Sequence, residues 1–165
     1  MNVNMQLLAS VKLIAFDFDG VFTDNTVYVS QDGSESVSCW RSDGLGLTRL
    51  AEIGVQTYIV STEKNIVVTL RANKLKIKCK QGVENKAVAI LDVCKEVGVS
   101  PEHTLFVGND INDIPAFKVV GMAAGVADAY EEINSHVLFK TERAGGRGAV
   151  REICDIVIKA KNQHG

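Results

Sequence analysis

An apolar run that begins at Leu13 ends at two carboxylates, Asp17 and Asp19, and Gly20 follows at once. Ionised carboxylates at the mouth of a core strand lose hydration, which is costly unless a partner compensates for the loss. Two carboxylates at positions i and i+2 of an extended segment are typical of a site for a hard cation such as Mg²⁺. A strand that ends in a solvated acidic turn explains the same residues equally well. The rest of the chain has to decide between these two interpretations.

Runs of β-forming residues alternate with helical patterns along the remainder of the chain. This order predicts an α/β fold of the Rossmann-like, three-layer type with a central parallel sheet. A length of 165 residues with 46% hydrophobic residues fits a single domain, residues 1–165, with a full core. The expected strands are 12–16, 55–60, 104–107 and 121–123, and the expected helices are 44–53, 65–74, 86–97 and 148–160.

One segment interrupts this alternation between the first strand and the first helix. Residues 26–30 and 34–40 are rich in β-forming residues, and Asp32 with Gly33 between them is a favoured turn pair. The pattern predicts a short β-hairpin insertion after the first strand. The insertion is too short to form a cap domain, so we expect any shielding of the acidic site to come from another subunit.

Charge and cysteine spacing narrow the kind of partner. The net charge is -2, with lysines and arginines scattered along the chain, which offers no broad basic surface for nucleic acid. The four cysteines show neither metal-ligand spacing nor a disulfide pattern. No apolar run approaches the roughly 20 residues needed to span a membrane, and the first residues lack the basic start of a secretory signal. We therefore expect a small-molecule partner, no nucleic acid, no membrane and a cytoplasmic location.

A second acidic cluster, Gly108-Asn-Asp-Ile-Asn-Asp113, follows the third predicted strand. Because parallel strands end at the same edge of a sheet, Asp110 is expected beside Asp17 and Asp19. Alone, the segment is also typical of a helix N-terminus, where acidic residues are favoured. Acidic clusters at two strand ends together indicate a convergent site.

Two later segments supply groups that bind anions. Ser61 and Thr62 follow the strand 55–60, and Lys86 begins the helix 86–97. Hydroxyls, helix N-terminal amides and an ammonium together make an anion pocket. Individually, Ser61 is equally typical of a helix cap and Lys86 of a surface lysine. Their order relative to the acids favours the anion pocket.

With these four motifs, the chain resembles the haloacid dehalogenase superfamily of phosphotransferases. The matching motifs are Asp17-Phe-Asp-Gly-Val-Phe-Thr23, Ser61, Lys86 and Gly108-Asn-Asp-Ile-Asn-Asp113. The hairpin in place of a cap, the segment Asp43-Gly-Leu-Gly46 and the tail Gly145-Gly-Arg-Gly-Ala-Val-Arg-Glu152 resemble its capless subgroup. That subgroup dephosphorylates 3-deoxy-octulosonate 8-phosphate or the nine-carbon deaminoneuraminate and N-acylneuraminate 9-phosphates. The chain is also similar to phosphatase-like domains associated with acylneuraminate cytidylyltransferases.

The resemblance implies a mechanism that passes through an aspartyl-phosphate. Asp17 is then the nucleophile that attacks phosphorus. Asp19 protonates the leaving alcohol and afterwards activates water. Ser61 and Lys86 bind the transferring phosphoryl oxygens, where most of the charge develops.

The resemblance also implies Mg²⁺ as the cofactor. Its expected ligands are the side chains of Asp17 and Asp110 and the backbone carbonyl of Asp19, and Asp113 braces the metal shell. The cation offsets the repulsion between an anionic nucleophile and an anionic phosphate.

The segment after the second predicted strand bears on the substrate. Enzymes for the eight-carbon substrate usually have Thr-Gly-Arg there, whereas this chain has Ser61-Thr-Glu63, which reverses the charge at the third position. Glu63, Arg71 and Lys74 match the set of the nine-carbon phosphatases, and a helix that starts near Glu63 carries all three on one face. An amphipathic helix with solvated charged ends explains the trio without a substrate. The full expected substrate-binding set is Gly20, Thr62, Glu63, Arg71, Lys74 and Arg147.

The main hypothesis is a Mg²⁺-dependent phosphatase of a 2-keto-3-deoxy sugar acid phosphate, with a nine-carbon 9-phosphate as the preferred substrate. One alternative is the eight-carbon 8-phosphate. Two others are a non-catalytic assembly module beside a cytidylyltransferase and a receiver-like phosphoacceptor domain. A receiver needs its acceptor aspartate at the turn after Val60, where Ser61 stands. The resemblance further implies a homotetramer in which a neighbouring subunit covers the site, with the glycine-rich loop around Arg147 and the hairpin helping to close it.

Overall fold

The computed structural model describes residues 4–164, and its centre is a six-stranded parallel sheet. The strand order is β5-β4-β1-β6-β7-β8, while β2 and β3 pair only with each other. The predicted α/β class with a central parallel sheet is confirmed. The described residues form the strands β1 (Leu13–Phe16), β2 (Thr23–Val29), β3 (Glu35–Cys39), β4 (Gln56–Val60), β5 (Lys78–Lys80), β6 (Thr104–Gly108), β7 (Met122–Gly125) and β8 (Phe139–Lys140).

The strand order reverses at β1. This strand pairs in parallel with β4 on one side and with β6 on the other, so that Phe16 lies opposite both Ile59 and Val107. With the hairpin set aside, the order corresponds to 3-2-1-4-5-6 of the doubly wound folds, whereas receiver domains follow 2-1-3-4-5. Ligands in such folds bind in the crevice where the order reverses, which here lies beyond the carboxyl end of β1. The receiver alternative does not fit this topology.

Helices pack on the sheet in two groups. α6 contacts α1 and α2, whereas α4 contacts α5 and β4. The side chain of Asn85 accepts hydrogen bonds from the amides of Ala87 and Val88, which fixes the start of α4 at Lys86. Within residues 4–164, no helix has the length and apolar character needed to cross a membrane. The helices are α1 (Met5–Ala9), α2 (Asp43–Glu52), α3 (Val67–Leu75), α4 (Lys86–Val97), α5 (Ile114–Phe117) and α6 (Ala149–His164).

Aromatic side chains anchor the loop that follows β1. All of β1 is buried, and Phe18 and Phe22 in the loop are also fully buried. The ring of Phe22 packs edge-on against Phe16 at 5.5 Å and stacks on Phe18 at 6.0 Å between centroids. Burial of each phenylalanine stabilises the fold by about 2 kcal/mol. Because Phe18 is held in the core, its neighbours Asp17 and Asp19 are fixed at the crevice.

The predicted hairpin is present as β2 and β3. It begins three residues earlier than expected, because Thr23 pairs with Cys39 and an irregularity separates this pair from that of Val27 with Val37. Gly33 in the turn has a φ of +82°, a conformation that glycine adopts without strain. The hairpin stands apart from the main sheet, and no second domain covers the crevice within residues 4–164.

A buried acid joins the starts of α2 and α6. Oδ1 of Asp43 accepts a hydrogen bond from the Arg151 amide at 3.2 Å, whereas its Oδ2 is buried without a hydrogen-bond partner. Burial raises the pKa of Asp43 to about 7, although the Arg151 amide and the charges of Arg71 and Arg151 oppose the rise. The folded protein therefore keeps a proton on Asp43 over a pH range in which the unfolded chain releases it.

Because the folded protein keeps this proton on Asp43, we expect the stability of the fold to depend on pH. Because the folded-state pKa of Asp43 lies above its unfolded value of 3.8, its contribution to stability is greatest at low pH and is lost as the pH rises toward 7. Asp43→Asn cannot ionise at this position. We expect the free energy of unfolding of this variant, relative to that of wild type, to increase by about 2 to 3 kcal/mol as the pH rises from 5 to 8. Urea denaturation in metal-free buffer measures the gain. Asp92→Asn, at an exposed site on α4, is the control; a pH-independent difference for Asp43→Asn contradicts the assignment.

Candidate active site

The segments that follow β1 and β6 and the start of α4 bring three ionisable side chains together. Nζ of Lys86 lies 2.8 Å from Oδ1 of Asp17 and 2.6 Å from Oδ1 of Asp113. None of these side chains is more than 5% exposed. Buried charges are tolerated when each is paired and hydrogen-bonded. The mutual pairing therefore explains how two acids and a lysine are accommodated in the interior.

The charges in this cluster do not balance. Burial raises the pKa of Asp17 to about 7, the charge of Asp113 adds to the rise, and Lys86 opposes it. Burial lowers the pKa of Lys86, but Asp17 and Asp113 outweigh burial and raise the pKa overall, so Lys86 is a fixed cation. When both carboxylates are ionised, two acids around one ammonium leave one negative charge, which a bound cation would compensate.

Asp19 stands at the opening of the crevice and is partly exposed. Burial raises its pKa, the charges of Glu63 and Glu35 add to the rise, and Lys86 opposes it. A carboxyl group with a raised pKa carries a proton at higher pH than usual. This is the property required of a group that protonates a leaving alcohol.

A cavity of about 80 Å³ opens beside the two acids that follow β1. Oδ1 of Asn109, a lining residue, is buried without a hydrogen-bond partner. Oxygen donors in this arrangement fit Mg²⁺, and all three residues expected to ligate it directly line the cavity. Within residues 4–164, no group of three or more His, Cys, Asp or Glu side chains is placed to hold a metal ion, and the predicted ligand set of two carboxylates and one backbone carbonyl stays a prediction. The lining residues are Asp17, Asp19, Asn25, Thr62, Asn109, Asp110 and Asn112.

Asp113 lies behind the cavity and does not line it. Its Oδ2 accepts hydrogen bonds from the amides of Asn109 and Asp110 at 2.8 and 3.2 Å, and its Oδ1 contacts Lys86. A Cβ at Gly108 would overlap the Asp113 carboxylate, so the glycine makes room for it. With both oxygens engaged, Asp113 is not placed as a direct metal ligand. Its predicted role of bracing the metal shell stays a prediction.

The residues expected to hold phosphate stand at neighbouring strand ends. Oγ of Ser61 accepts a hydrogen bond from the Glu63 amide at 3.1 Å, which leaves the hydroxyl proton available for a ligand. Thr62 is exposed and lines the cavity. Gly20 has a φ of +78°, and a Cβ there would overlap the side chain of Asn109. Only glycine therefore fits at this position, and the substrate contacts of all three residues stay predictions.

The trio of charged residues predicted to share one helix face does not do so. α3 begins at Val67, and Glu63 lies in the loop before it. Oε1 of Glu63 accepts hydrogen bonds from the amides of Lys64 and Asn65 at 2.6 and 2.7 Å. Because this local turn competes with the first helical turn, the helix starts later than expected. The single-face prediction is wrong.

Glu63 and Asp19 both line a second cavity, which has a volume of about 160 Å³. Asp19 and Asn25 line this cavity as well as the first one. The hairpin forms one wall of this cavity, and the loop before α3 forms the other. Arg71 instead donates from Nη2 to the Trp40 carbonyl at 3.0 Å, and Lys74 is exposed. In the described part of the chain, neither lines these two cavities, so their contact with substrate stays a prediction. The lining residues are Asp19, Asn25, Thr26, Val27, Glu35, Val37, Glu63, Asn65 and Val67.

The glycine-rich loop packs directly on the loop that follows β1. A Cβ at Gly145 would overlap the carbonyl oxygen of Gly20, and a Cβ at Gly146 would overlap the backbone at Asp24. Arg147 extends from this loop and forms an ion pair with Asp24 at 2.9 Å. The loop thus supports the catalytic loop from behind. Arg147 lines neither of the two cavities beside Asp19, and its predicted contact with substrate stays a prediction.

Several lining residues were missed by the sequence reasoning. Asn25 has a φ of +62°, which asparagine tolerates better than most residues, and its amide donates to Oγ1 of Thr23 at 3.2 Å. Its place two residues after the first motif is a usable signal. Asn109 and Asn112 lie inside a predicted motif in which only the acids carry a predicted role. Glu35 gave no signal, because folding of the hairpin alone brings it to the site.

A comparison with family models identifies the class. Residues 55–153 match the model of the haloacid dehalogenase-like hydrolases, which is more than half of the chain. With the paired acids at the reversal of strand order, this match shows that the chain belongs to that family. Within the family it is a phosphatase of the capless type, as its relatives indicate.

Three relatives make the assignment concrete. The 3-deoxy-D-manno-octulosonate 8-phosphate phosphatase of Salmonella typhi is 32% identical over 155 residues, which cover 93% of this chain and 82% of the relative. A HAD family hydrolase from Streptomyces avermitilis is 42% identical, with a TM-score of 0.87 and coverage of 90% and 86%. The 3-deoxy-D-manno-octulosonate 8-phosphate phosphatase of Moraxella catarrhalis, solved with magnesium, phosphate and KDO, is 30% identical, with a TM-score of 0.92 and coverage of 97% and 92%. The predicted enzyme class and the Mg²⁺ cofactor are confirmed.

Proposed function

We propose that the chain hydrolyses the phosphomonoester of a 2-keto-3-deoxy sugar acid, with 3-deoxy-D-manno-octulosonate 8-phosphate as the first candidate. The observation that carries the proposal is the buried Asp17 carboxylate, which lies 2.8 Å from Nζ of Lys86 and lines a polar cavity. A nucleophile, a fixed cation and space for a phosphate are thereby combined. The relatives named for the eight-carbon substrate support that choice over the nine-carbon prediction.

The reaction begins when a carboxylate oxygen of Asp17 attacks phosphorus. A bond forms between that oxygen and phosphorus, the bond from phosphorus to the sugar oxygen breaks, and Asp19 gives its proton to the departing oxygen. Asp19 then takes a proton from water, whose oxygen attacks phosphorus and releases Asp17 together with inorganic phosphate. One difficult displacement is thereby divided into two easier ones.

Lys86 and Asp113 hold the nucleophile in place. The Lys86 ammonium fixes one oxygen of Asp17, while Asp113 holds the ammonium and is itself held by two backbone amides. Mg²⁺, when bound by Asp17, Asp110 and the carbonyl of Asp19, supplies charge that offsets the repulsion between carboxylate and phosphate. Because these groups are positioned before the substrate arrives, little reorganisation accompanies the reaction.

A nine-carbon 9-phosphate is the second candidate, and the position of Glu63 favours it. Glu63 lines the cavity beside Asp19, and a guanidinium at this position would replace one of the negative charges there with a positive one. A carboxylate accepts hydrogen bonds from sugar hydroxyls, whereas an arginine binds a carboxylate. The choice between the eight-carbon and the nine-carbon substrate therefore depends on which part of the sugar contacts this wall of the cavity.

A phosphate-release assay with purified sugar phosphates tests the proposed function. In the presence of Mg²⁺, we expect kcat/KM for the eight-carbon 8-phosphate to exceed that for glucose 6-phosphate by at least about 100-fold. Removal of the metal with EDTA should abolish release. A higher kcat/KM for a nine-carbon 9-phosphate selects the second candidate, and no preference for either acid over glucose 6-phosphate contradicts the substrate class.

Assembly and location belong to the proposal as well. The exposed Val27, Tyr28 and Val29 on the hairpin support a contact between subunits, because apolar strand surface is typical of such contacts, whereas the homotetramer itself rests on the resemblance. The resemblance adds a neighbouring subunit that covers the site. An assembly role beside a cytidylyltransferase and a cytoplasmic location stay predictions. Sedimentation of the purified protein measures the subunit number directly.

A further inference from the structure

One hydrogen bond joins the two walls of the larger cavity. Nδ2 of Asn65, in the loop before α3, donates to Oε2 of Glu35 on β3 at 2.9 Å. Both residues line the 160 Å³ cavity together with Asp19 and Glu63. We call this contact the Asn65–Glu35 clasp. It links the hairpin, which is otherwise outside the main sheet, to the loop that follows β4.

The orientation of Asn65 is fixed by three contacts. Its Oδ1 accepts a hydrogen bond from the amide of Val67, the first residue of α3, at 3.1 Å, and its own amide donates to Oε1 of Glu63 at 2.7 Å. With Oδ1 engaged by the helix, Nδ2 is the group that faces Glu35. One residue therefore contacts the first residue of α3, the Glu63 side chain and the hairpin wall.

The cavity closed by the clasp has an unusual charge. Three carboxylates, those of Asp19, Glu35 and Glu63, are among its lining groups, whereas no lysine or arginine is. An anionic group of a ligand is repelled there, while hydroxyl groups find acceptors. A polyhydroxylated carbon chain next to the phosphate fits this wall, and the carboxylate of a sugar acid must lie elsewhere.

We propose that Asn65 and Glu35 are specificity-determining residues, because the clasp holds the hairpin over the cavity so that Glu35 and Glu63 accept hydrogen bonds from the hydroxyls nearest the phosphate. This inference rests on the proposed function for its substrate. Asn65 acts as a positioning residue, whereas Glu35 and Glu63 contact the polyol.

A set of charge and donor changes isolates the clasp. Asn65→Asp keeps the oxygen that accepts from the Val67 amide but places a carboxylate against Glu35, and so opens the clasp. In the double variant Asn65→Asp with Glu35→Gln, the new amide donates to the new carboxylate and closes the clasp with reversed polarity. Asn73→Asp, an identical change at an exposed position of α3, is the control.

We expect Asn65→Asp to raise KM for the preferred sugar acid phosphate about tenfold, with a smaller change in kcat, because one hydrogen bond and its alignment are lost. This rise in KM should be larger than the rise for p-nitrophenyl phosphate, which has no polyol. Amide hydrogen exchange in residues 26–37 should accelerate in Asn65→Asp. The double variant should recover most of KM and the slow exchange, and Asn73→Asp should resemble wild type.

Unchanged KM and unchanged exchange in Asn65→Asp overturn the inference, as does a double variant no better than the single one. Failure of the proposed function is a different result: wild-type enzyme then shows no preference for sugar acid phosphates. Hydrogen exchange still decides in that case whether the clasp holds the hairpin, because it needs no substrate.

Discussion

Asp17→Asn enzyme is expected to release phosphate at least about 10⁴-fold more slowly than wild type. The neutral amide cannot form the covalent bond to phosphorus, and it binds a metal cation more weakly than the carboxylate does. Initial rates with the best sugar acid phosphate and saturating Mg²⁺ measure the loss. A variant that keeps more than about one hundredth of the activity contradicts the assignment of Asp17 as nucleophile.

The same variant is expected to fold. Lys86 keeps its contact with Asp113 at 2.6 Å, and replacement of Asp17 removes a carboxylate whose pKa burial raises to about 7. We therefore expect Asp17→Asn to be at least as stable as wild type in urea at pH 8, because the cost of burying that charge is gone. This measurement separates a lost nucleophile from a lost fold. Asp17→Ala serves as a second variant that cannot revert to aspartate by deamidation.

Lys86→Met is expected to have the second largest effect on turnover. It is also expected to lower the stability of the fold. It leaves Asp17 and Asp113 as buried carboxylates without their shared cation, and breaking a buried pair in this way costs about 3 to 5 kcal/mol. The phosphoryl group also loses a positioned positive charge, so kcat should fall by about 10²- to 10⁴-fold. Urea denaturation and initial rates measure the two losses separately.

A double variant distinguishes the two roles of Lys86. Lys86→Met combined with Asp113→Asn removes one of the two stranded charges, so we expect it to recover at least half of the lost stability. Activity should stay low, because no cation remains beside Asp17. Full stability and activity in Lys86→Met alone would show that the ion pairs have neither role.

The acids that follow β1 and β6 were predictable because two physical rules coincide there. An apolar run that ends in carboxylates needs a compensating partner, and parallel strands place their carboxyl ends at one edge. The sequence order of Asp17, Lys86 and Asp110 was therefore enough to predict that these residues lie at one edge of the sheet. The separate roles of the acids could not be predicted in this way. Both carboxylate oxygens of Asp113 face Lys86 and two backbone amides and point away from the cavity.

The substrate side was less predictable, because it depends on local turns and on contacts between distant segments. Hydrogen bonds from two amides hold Glu63 before α3, and a helical periodicity count does not register them. Arg71 reaches the Trp40 carbonyl, and Glu35 reaches Asn65, only after the hairpin has folded. Strands as short as β5 and β8, with three and two residues, lack a readable alternation.

The central claim is that Asp17 becomes phosphorylated during turnover, and mass spectrometry of acid-quenched enzyme tests it most directly. We predict that wild-type protein, quenched during hydrolysis of its preferred sugar acid phosphate, carries one phosphoryl group on the peptide that contains Asp17. Asp19→Asn, which cannot activate water, should accumulate more of this species when an activated ester such as p-nitrophenyl phosphate supplies the phosphoryl group. Rapid phosphate release without any phosphorylated Asp17 in either protein would contradict the claim.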